Sequence, residues 1–418
     1  MKAAREYYLE VADVIGRQLC RDAIWDGDRC SWLGWVYQAP KSHVFRSLSS
    51  DLYGGTAGIA LLLLELYRFT EDRQQLRCID GALNQALSLL DKAKTNMSAS
   101  FFEGKTGLAF VLAKAAQITG RHVLFEKSHD ILRGLASEKL DPIAIDVVTG
   151  SAGAIPALIC LASVLQCDEL LEIADLHGQH LLRKAVTCDD QSSWQTTPGQ
   201  SDAHLNGFSH GASGMATALL ELYQVSQNQD YLQVALRALN FERRQLNREC
   251  GNWPDNRMAS SNPVKAQASY SLAWCHGAPG IGLARLRQSQ ILPSNSAIAD
   301  DLEIAISTTA EALSLASVLA TENFSLCHGL AGNADLLIQA GQSLNRPNLS
   351  KLAEQVGQYG IEQILRQGRP WPCGNNGAGE SPSLMLGTAG IAHFYLRLYD
   401  PTEVSSILIT IPDHARRT

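Results

Sequence analysis

The sequence lacks an apolar run long enough to cross a membrane. Its longest apolar stretch, Ile59 to Leu64, ends at Glu65, far short of the roughly 20 residues that a membrane-spanning helix needs. No apolar segment follows the N-terminal residues Met1 to Glu6, which disfavours a signal peptide. We therefore expect a soluble protein with no membrane span, located in the cytoplasm.

Basic clusters and closely spaced cysteines are also missing. The formal net charge is -7, and no block of Lys and Arg could follow a nucleic-acid backbone, so nucleic acid is not an expected partner. The ten cysteines are dispersed and include no CxxC pair, which fits a reducing cytoplasm. Most of these thiols are expected to be small buried hydrophobes.

What the sequence does contain is a repeated glycine motif, Gly-x-x-Gly followed by an apolar run rich in Ala and Leu. The seven copies begin at Gly55, Gly104, Gly150, Gly211, Gly277, Gly329 and Gly387. The runs that follow them do not alternate between apolar and polar residues and are poor in β-branched residues, which is typical of buried helices. More highly charged stretches between them, such as Asp72 to Asp91, fit amphipathic helices with one face in water.

Alternating buried and amphipathic helices, repeated seven times, predict an all-α fold of the α/α toroid type, with an inner and an outer ring. Each glycine pair would let the preceding loop turn tightly next to the inner helix. A helical solenoid is the alternative arrangement. No Pro-rich or Ser-rich seam divides the chain, so we expect one toroid domain over residues 46–418, preceded by an N-terminal helical extension over residues 1–45.

Two of the seven turns carry Cys-His directly before the glycine pair, Cys275-His276-Gly277 and Cys327-His328-Gly329. A single such cysteine would be explained as buried filler, and a single histidine as a hydrogen-bonding group. Two copies at matching repeat positions instead favour a zinc site formed by Cys275, Cys327 and His328, with a fourth position open. Cys373 is the other candidate ligand, but it lies well before its own glycine turn and is left out.

Two further turns supply candidate catalytic residues. His210 stands directly before Gly211, in register with His276 and His328, so it is expected to face the same cavity. Asp146, in an apolar segment before Gly150, needs a partner or a function, although a turn or helix-capping role is the alternative. His276 could bind metal, donate a proton or only shape the rim.

With these motifs in view, the chain resembles the lanthionine synthetase cyclases, which close thioether rings in lanthipeptides. The similarity is strongest to the cyclase portion of class II synthetases, on Asn252-Trp253-Pro254-Asp255, on Trp274 to Gly280 and on Pro370 to Gly374. The resemblance implies an α/α toroid with zinc held by Cys275, Cys327 and His328, and catalytic roles for His210 and Asp146.

Two residues depart from the nisin-type cyclases of this family. Those cyclases have Tyr after the first zinc cysteine, where this chain has His276, and Arg four residues before it, where this chain has Ser271. The roles of these two groups are therefore not transferred. Class II synthetases also have an upstream dehydratase domain, and no kinase-like or phosphate-loop motif is visible here. The chain could be an excised domain or a cyclase that works with a separate dehydratase.

The expected function is zinc-dependent addition of a cysteine thiolate of a dehydrated precursor peptide, bearing a leader, to dehydroalanine or dehydrobutyrine. His210 is the expected acid for the resulting enolate, oriented by Asp146. The alternatives are addition of a small thiol such as glutathione, a non-catalytic zinc-stabilised scaffold that binds a peptide, and a glycoside-active barrel. The last would need two carboxylates beside a cleft, and the glycine turns supply only Asp146.

Overall fold

The computed structural model describes residues 2–38, 42–92, 98–140, 144–196, 203–258, 269–375, 377 and 379–412. These residues form two compact units. The first unit comprises residues 1–97, 107–129 and 312–408, and the second comprises residues 98–106, 130–311 and 409–418. None of the helices in the described ranges is both long and apolar enough to cross a membrane.

Every one of the seven glycine motifs begins a helix, at the residue directly after its first glycine. These core helices are α2 (Thr56–Thr70), α4 (Lys105–Thr119), α6 (Ser151–Leu165), α8 (Ala212–Ser226), α10 (Ala278–Ile291), α13 (Leu330–Ser343) and α15 (Thr388–Tyr399). In α6, for example, ten of the first eleven residues are buried alongside one partly exposed Pro156, as expected for a helix that is apolar on all sides.

Most of the other α-helices are amphipathic, and several of them pack on core helices. They are α1 (Lys2–Asp22), α3 (Arg73–Lys92), α5 (Val123–Leu135), α7 (Glu169–Lys184), α9 (Gln229–Arg244), α11 (Ser296–Ser314), α12 (Ala316–Thr321) and α14 (Pro347–Gly360). Within the first unit α3 packs on α2 and α14 on α13, and within the second α7 packs on α6 and α9 on α8. Helix α1 packs on α15, so the first and the last helix of the chain form one pair.

Buried ion pairs join successive core helices within each unit. In the first unit Lys114 of α4 contacts Glu65 of α2 at 2.5 Å. In the second unit Arg287 of α10 donates to both oxygens of Glu221 of α8, at 2.6 and 2.8 Å, and both side chains are almost fully buried. All four residues lie ten positions after the first glycine of their motif, so the pairing follows the repeat.

The N-terminal segment differs from the sequence prediction, because only its first part is helical. After α1 come two antiparallel hairpins, β1 (Ile24–Asp26) with β2 (Arg29–Ser31) and β3 (Leu33–Gln38) with β4 (Ser42–Ser47). Cys30, Trp32 and Gly34 are buried while their neighbours are more exposed, and this period of two is that of a strand. A third hairpin joins β5 (Val186–Cys188) to β6 (Gln191–Ser193). The domain boundary at residue 45 stays a prediction.

Candidate functional site

The second glycine of six of the seven motifs fixes the loop that precedes the helix. A Cβ on this glycine would lie about 2 Å from the carbonyl oxygen six residues earlier, so only glycine allows the loop to pack against the helix. The pairs nearest the candidate residues are Gly153 with Val147 (1.9 Å), Gly214 with Phe208 (2.1 Å), Gly280 with Trp274 (1.9 Å) and Gly332 with Leu326 (1.9 Å). The carbonyls held in this way lie one or two residues from Asp146, His210, Cys275 and Cys327.

In the second unit the loops before α6 and α8 bring Asp146 and His210 into contact. Nδ1 of His210 lies 2.5 Å from Oδ2 of Asp146. The other carboxylate oxygen, Oδ1, accepts hydrogen bonds from the backbone N–H and the hydroxyl of Thr149 at 2.6 and 3.0 Å. The Val147 N–H donates to the Ser209 carbonyl at 3.0 Å, which holds the two loops side by side. Asp146 therefore has a fixed position, and Nδ1 of His210 carries the proton of their hydrogen bond.

This contact favours the protonated, positively charged form of His210. Burial lowers the pKa of His210, but the hydrogen bond and negative charge of Asp146 outweigh burial and raise the pKa above its ordinary value. The His210 side chain is 30% exposed while that of Asp146 is 6% exposed. A histidine whose Nδ1 is held by a carboxylate presents Nε2 as the atom that can give or take a proton.

His276 stacks on His210, with ring centroids 5.8 Å apart and ring planes 30° apart. Its Nδ1 lies 3.3 Å from the Asn206 carbonyl, to which it donates, and its buried Nε2 has no hydrogen-bond partner among the described residues. Burial and the positive charge of Arg257 lower the pKa of His276 to about 3. This imidazole is therefore neutral, and its Nε2 is an acceptor.

Sequence reasoning missed a carboxylate and a guanidinium close to these histidines. Asp255 accepts from Nε and a terminal nitrogen of Arg257, at 2.9 and 2.6 Å, and from the Ser271 hydroxyl at 2.7 Å. Burial raises the pKa of Asp255, but the Arg257 hydrogen bonds and nearby charges hold it below its usual range. Arg257 also lowers the pKa of His210 and of His276, so its charge is close to both rings. The Asn-Trp-Pro-Asp motif contains Asp255, but its partner could not be read from that motif.

Cys275 lies in the second unit, buried and tied to the loop of His210. Its carbonyl oxygen accepts from the Ser209 N–H at 3.3 Å and from the Ser209 hydroxyl at 3.2 Å. Gly207, with φ +100°, passes so close that a Cβ there would lie 2.9 Å from the same oxygen. Cys275, His276 and His210 are thus held on neighbouring loops.

Cys327 and His328 lie in the first unit, on the loop before α13. The Cys327 N–H donates to the Met385 carbonyl at 3.0 Å. The His328 N–H donates to the Ser325 hydroxyl, and the His328 carbonyl accepts from the Asn323 amide, both at 3.3 Å. Hydrogen bonds within the first unit therefore hold this loop in place.

Cys373, the cysteine that the sequence analysis left out, is also buried in the first unit. Its sulfur accepts from the Ser381 N–H at 3.4 Å, and burial raises the pKa of its thiol to about 11. Gly374 packs against His328, since a Cβ there would lie 2.9 Å from Nε2 of the ring. A cavity of about 460 Å³ opens beside His328 and is lined by Phe324, Tyr359, Trp371, Arg369 and Glu380, among others.

The structure thus places Asp146, His210, His276 and Cys275 in the second unit, and Cys327 and His328 in the first. Asp146 contacts His210, and His276 stacks on His210. The prediction that Cys275, Cys327 and His328 share one metal ion involves both units and stays a prediction, as do the catalytic roles.

The fold and these loops define a known class of protein. A family model described as lanthionine synthetase C-like protein matches residues 46–409. Because this match covers most of the sequence, the chain belongs to the lanthionine synthetase C-like family, and the predicted family is confirmed.

Two curated relatives come from Lactococcus lactis subsp. lactis. The lacticin 481/lactococcin biosynthesis protein is 25% identical over 380 residues, which are 88% of this chain and 38% of that protein. The nisin biosynthesis protein NisC is 22% identical over 346 residues, 79% of this chain and 71% of that protein. The chain therefore spans well under half of the lacticin 481 relative.

Among solved structures, nisin cyclase matches with a TM-score of 0.67 and 17% identity, covering 95% of both chains. At this identity the likeness concerns the fold alone. It confirms the predicted fold class, an all-α protein of the α/α toroid type, to which the three hairpins are additions.

Proposed function

We propose that this protein is a zinc-dependent lanthipeptide cyclase that forms lanthionine and methyllanthionine rings. The observation that carries the proposal is the pair of Cys-His sequences directly before the core helices α10 and α13, at matching repeat positions, whose Cys275, Cys327 and His328 each offer one atom that can bind a metal ion. Family membership supports the same chemistry, because thioether formation requires an activated thiol.

The donor set suits zinc. Two thiolates and one imidazole are soft to intermediate ligands of the kind that zinc prefers, and three protein ligands leave a fourth position for substrate. When bound there, zinc would supply a deprotonated substrate thiol at neutral pH, where a free cysteine with a pKa of about 8.5 is mostly protonated. Two thiolate ligands also cancel the ion's charge, which favours thiol chemistry over activation of water.

The residues around His210 would handle the proton. Addition of a thiolate to the β-carbon of a dehydrated residue leaves an enolate that needs a proton at its α-carbon. Nε2 of His210 would donate this proton, while Asp146 holds Nδ1 and stabilises the charged ring. His276, neutral and stacked on His210, would shape the site beside the His210 ring.

The proposed substrate is a dehydrated precursor peptide with a leader, and the proposed location is the cytoplasm. Dehydration would come from a separate dehydratase or from a dehydratase domain, since the curated lacticin 481 relative is much longer than this chain. Holding both reacting groups of one peptide on the toroid, residues 46–418, would make ring closure a positioned intramolecular addition.

The test uses the zinc-loaded protein and a synthetic peptide with one cysteine and one dehydroalanine. Ring closure leaves the mass unchanged, so the measurement is loss of thiol alkylation over time, compared with protein treated with a chelator. Glutathione is then added, and a gain of one glutathione on the peptide would identify small-thiol addition instead. A thiol that stays fully alkylatable with zinc-loaded protein, while the peptide binds, would support the non-catalytic scaffold.

A further inference from the structure

Three cysteines of the first unit, dispersed in the sequence, lie together on three different elements. Cys20 is in the last turn of α1, Cys30 in β2 and Cys78 in α3. Sγ of Cys78 is 3.9 Å from the Cys20 carbonyl oxygen, and Sγ of Cys30 is 3.5 Å from the Cys78 carbonyl oxygen. The Cys78 thiol is within hydrogen-bonding reach of both other thiols. Cys78 is therefore the centre of a three-thiol cluster.

The cluster has one side open to solvent. Cys30 and Cys78 are buried, 1% and 3% exposed, whereas Cys20 is half-buried. The packing behind Cys30 is tight, because a Cβ on Gly81 would lie 2.7 Å from its sulfur. Cys20 is therefore the member of the cluster that is nearest to solvent.

The three thiols shift one another's pKa values. Hydrogen bonding with the Cys20 and Cys30 side chains lowers the pKa of Cys78. The same contacts raise the pKa of Cys20 and of Cys30. A buried thiol beside a partly exposed thiol is the arrangement of a resolving and a peripheral cysteine.

We propose that Cys20 and Cys78 form an oxidisable dithiol, a redox modification site that takes low-molecular-weight disulfides such as glutathione disulfide. It lies on residues other than the metal ligands and does not depend on the cyclase function. Its disulfide would join the end of α1 to α3.

The reaction is two successive thiol–disulfide exchanges. The Cys20 sulfur attacks one sulfur of the small disulfide, whose S–S bond breaks, and the first small thiol leaves with the Cys20 proton. The Cys78 sulfur then attacks the Cys20 sulfur, and the second small thiol leaves with the Cys78 proton. In sum, two protein thiols are oxidised by two electrons, and one small disulfide is reduced to two thiols.

Trypsin offers a direct test, because cleavage after Arg17, Arg21, Arg29 and Arg77 puts the three cysteines on three separate peptides. The full chain is incubated with glutathione disulfide, free thiols are alkylated, and a non-reducing digest is analysed by mass spectrometry. We expect peptide Gln18–Arg21 linked to the peptide that begins at Cys78. The exposed Cys188, expected to carry glutathione, shows that the oxidant has acted.

Three variants complete the test, each checked by circular dichroism. Cys30→Ser should keep the link, and Cys78→Ser should leave glutathione on Cys20. If Cys78→Ser does not fold, Cys20→Ser takes its place, because its half-buried position tolerates the change. This variant should abolish the link. Glutathione on Cys20 without a link in the unmutated protein would overturn the proposal, as would a link from Cys78 to Cys30.

Discussion

A buried histidine pair in the second unit should make the protein less stable in mild acid. His177 and His180 of α7 place Nδ1 at 2.9 and 3.1 Å from the hydroxyl of Ser151, the first residue of α6. They are 3% and 5% exposed. Burial, and next the charge of His180, lower the pKa of His177 to about 4. His177 is therefore neutral in the folded protein at neutral pH.

The magnitude follows from the difference between folded and unfolded pKa values. An unfolded histidine has a pKa of about 6.5, so above that pH both states are neutral and full stability is present. As the pH falls below 6.5 the unfolded state binds a proton that the folded state cannot, and stability is lost. With a folded pKa near 4, the loss from His177 is about 2 kcal/mol at pH 5 and levels off below pH 4.

His177→Gln removes the imidazole that binds a proton in the unfolded state, while keeping a group that can hydrogen-bond to Ser151. The free energy of unfolding is measured by urea titration at pH 7.5 and pH 5.0, following helical circular dichroism in the transition that includes the second unit. The unmutated protein should lose about 2 kcal/mol more than the variant between these pH values. His122→Gln, at an exposed histidine just before α5, is the matched control and should behave like the unmutated protein. Equal pH dependence with and without His177 would refute the reasoning.

Three further predictions concern the proposed site and the core. Cys275→Ala and Cys327→Ala should each lose bound zinc but keep helical circular dichroism, because the helical core does not depend on the metal, whereas Cys373→Ala should keep zinc. If metal analysis finds full zinc retention in both single variants, these cysteines are not the ligands. His210→Asn should keep zinc yet slow thiol loss in the peptide assay by about a hundredfold or more, as expected without a general acid; an unchanged rate would make His210 a packing residue, and zinc loss would make it a ligand. Arg287→Met should cost about 3 to 5 kcal/mol in urea unfolding by leaving Glu221 buried and unpaired, and Glu221→Leu combined with Arg287→Met should recover most of it; equal losses in the single and double variants would contradict the ion-pair explanation.

The core helices were predictable because their cause is local. A glycine pair three residues apart marks both a tight turn and the close approach of a loop carbonyl, as at Gly153 and Val147. The Gly-x-x-Gly spacing that meets both requirements can be read directly from the sequence. The hairpins were not predicted, because strands as short as Ile24–Asp26 contain too few residues to establish a period of two.

The candidate site was predictable only in part. Repeat register placed His210 and His276 at matching positions, and their rings stack in the structure. The cluster around Cys78 depends on how two helices and a strand pack, and no spacing in the sequence encodes it. Asp255 and Arg257 are only two residues apart, but charged residues at that spacing pair only where the local turn brings their side chains together. Dispersed cysteines such as Cys20 and Cys78 were expected to be separate buried residues, whereas tertiary packing brings their thiols together.

The pairing of α1 with α15 has a consequence for synthesis on the ribosome. The apolar face of α1, with Val11, Ile15 and Leu19, is buried in the folded protein, yet its partner helix is nearly 380 residues further along the chain. At about 5 to 20 residues per second, α1 emerges roughly 20 to 75 s before α15 has been made. Helices α2 and α3 cover α1 only in part, so during that interval the face of α1 that packs on α15 is uncovered and is a natural binding site for chaperones.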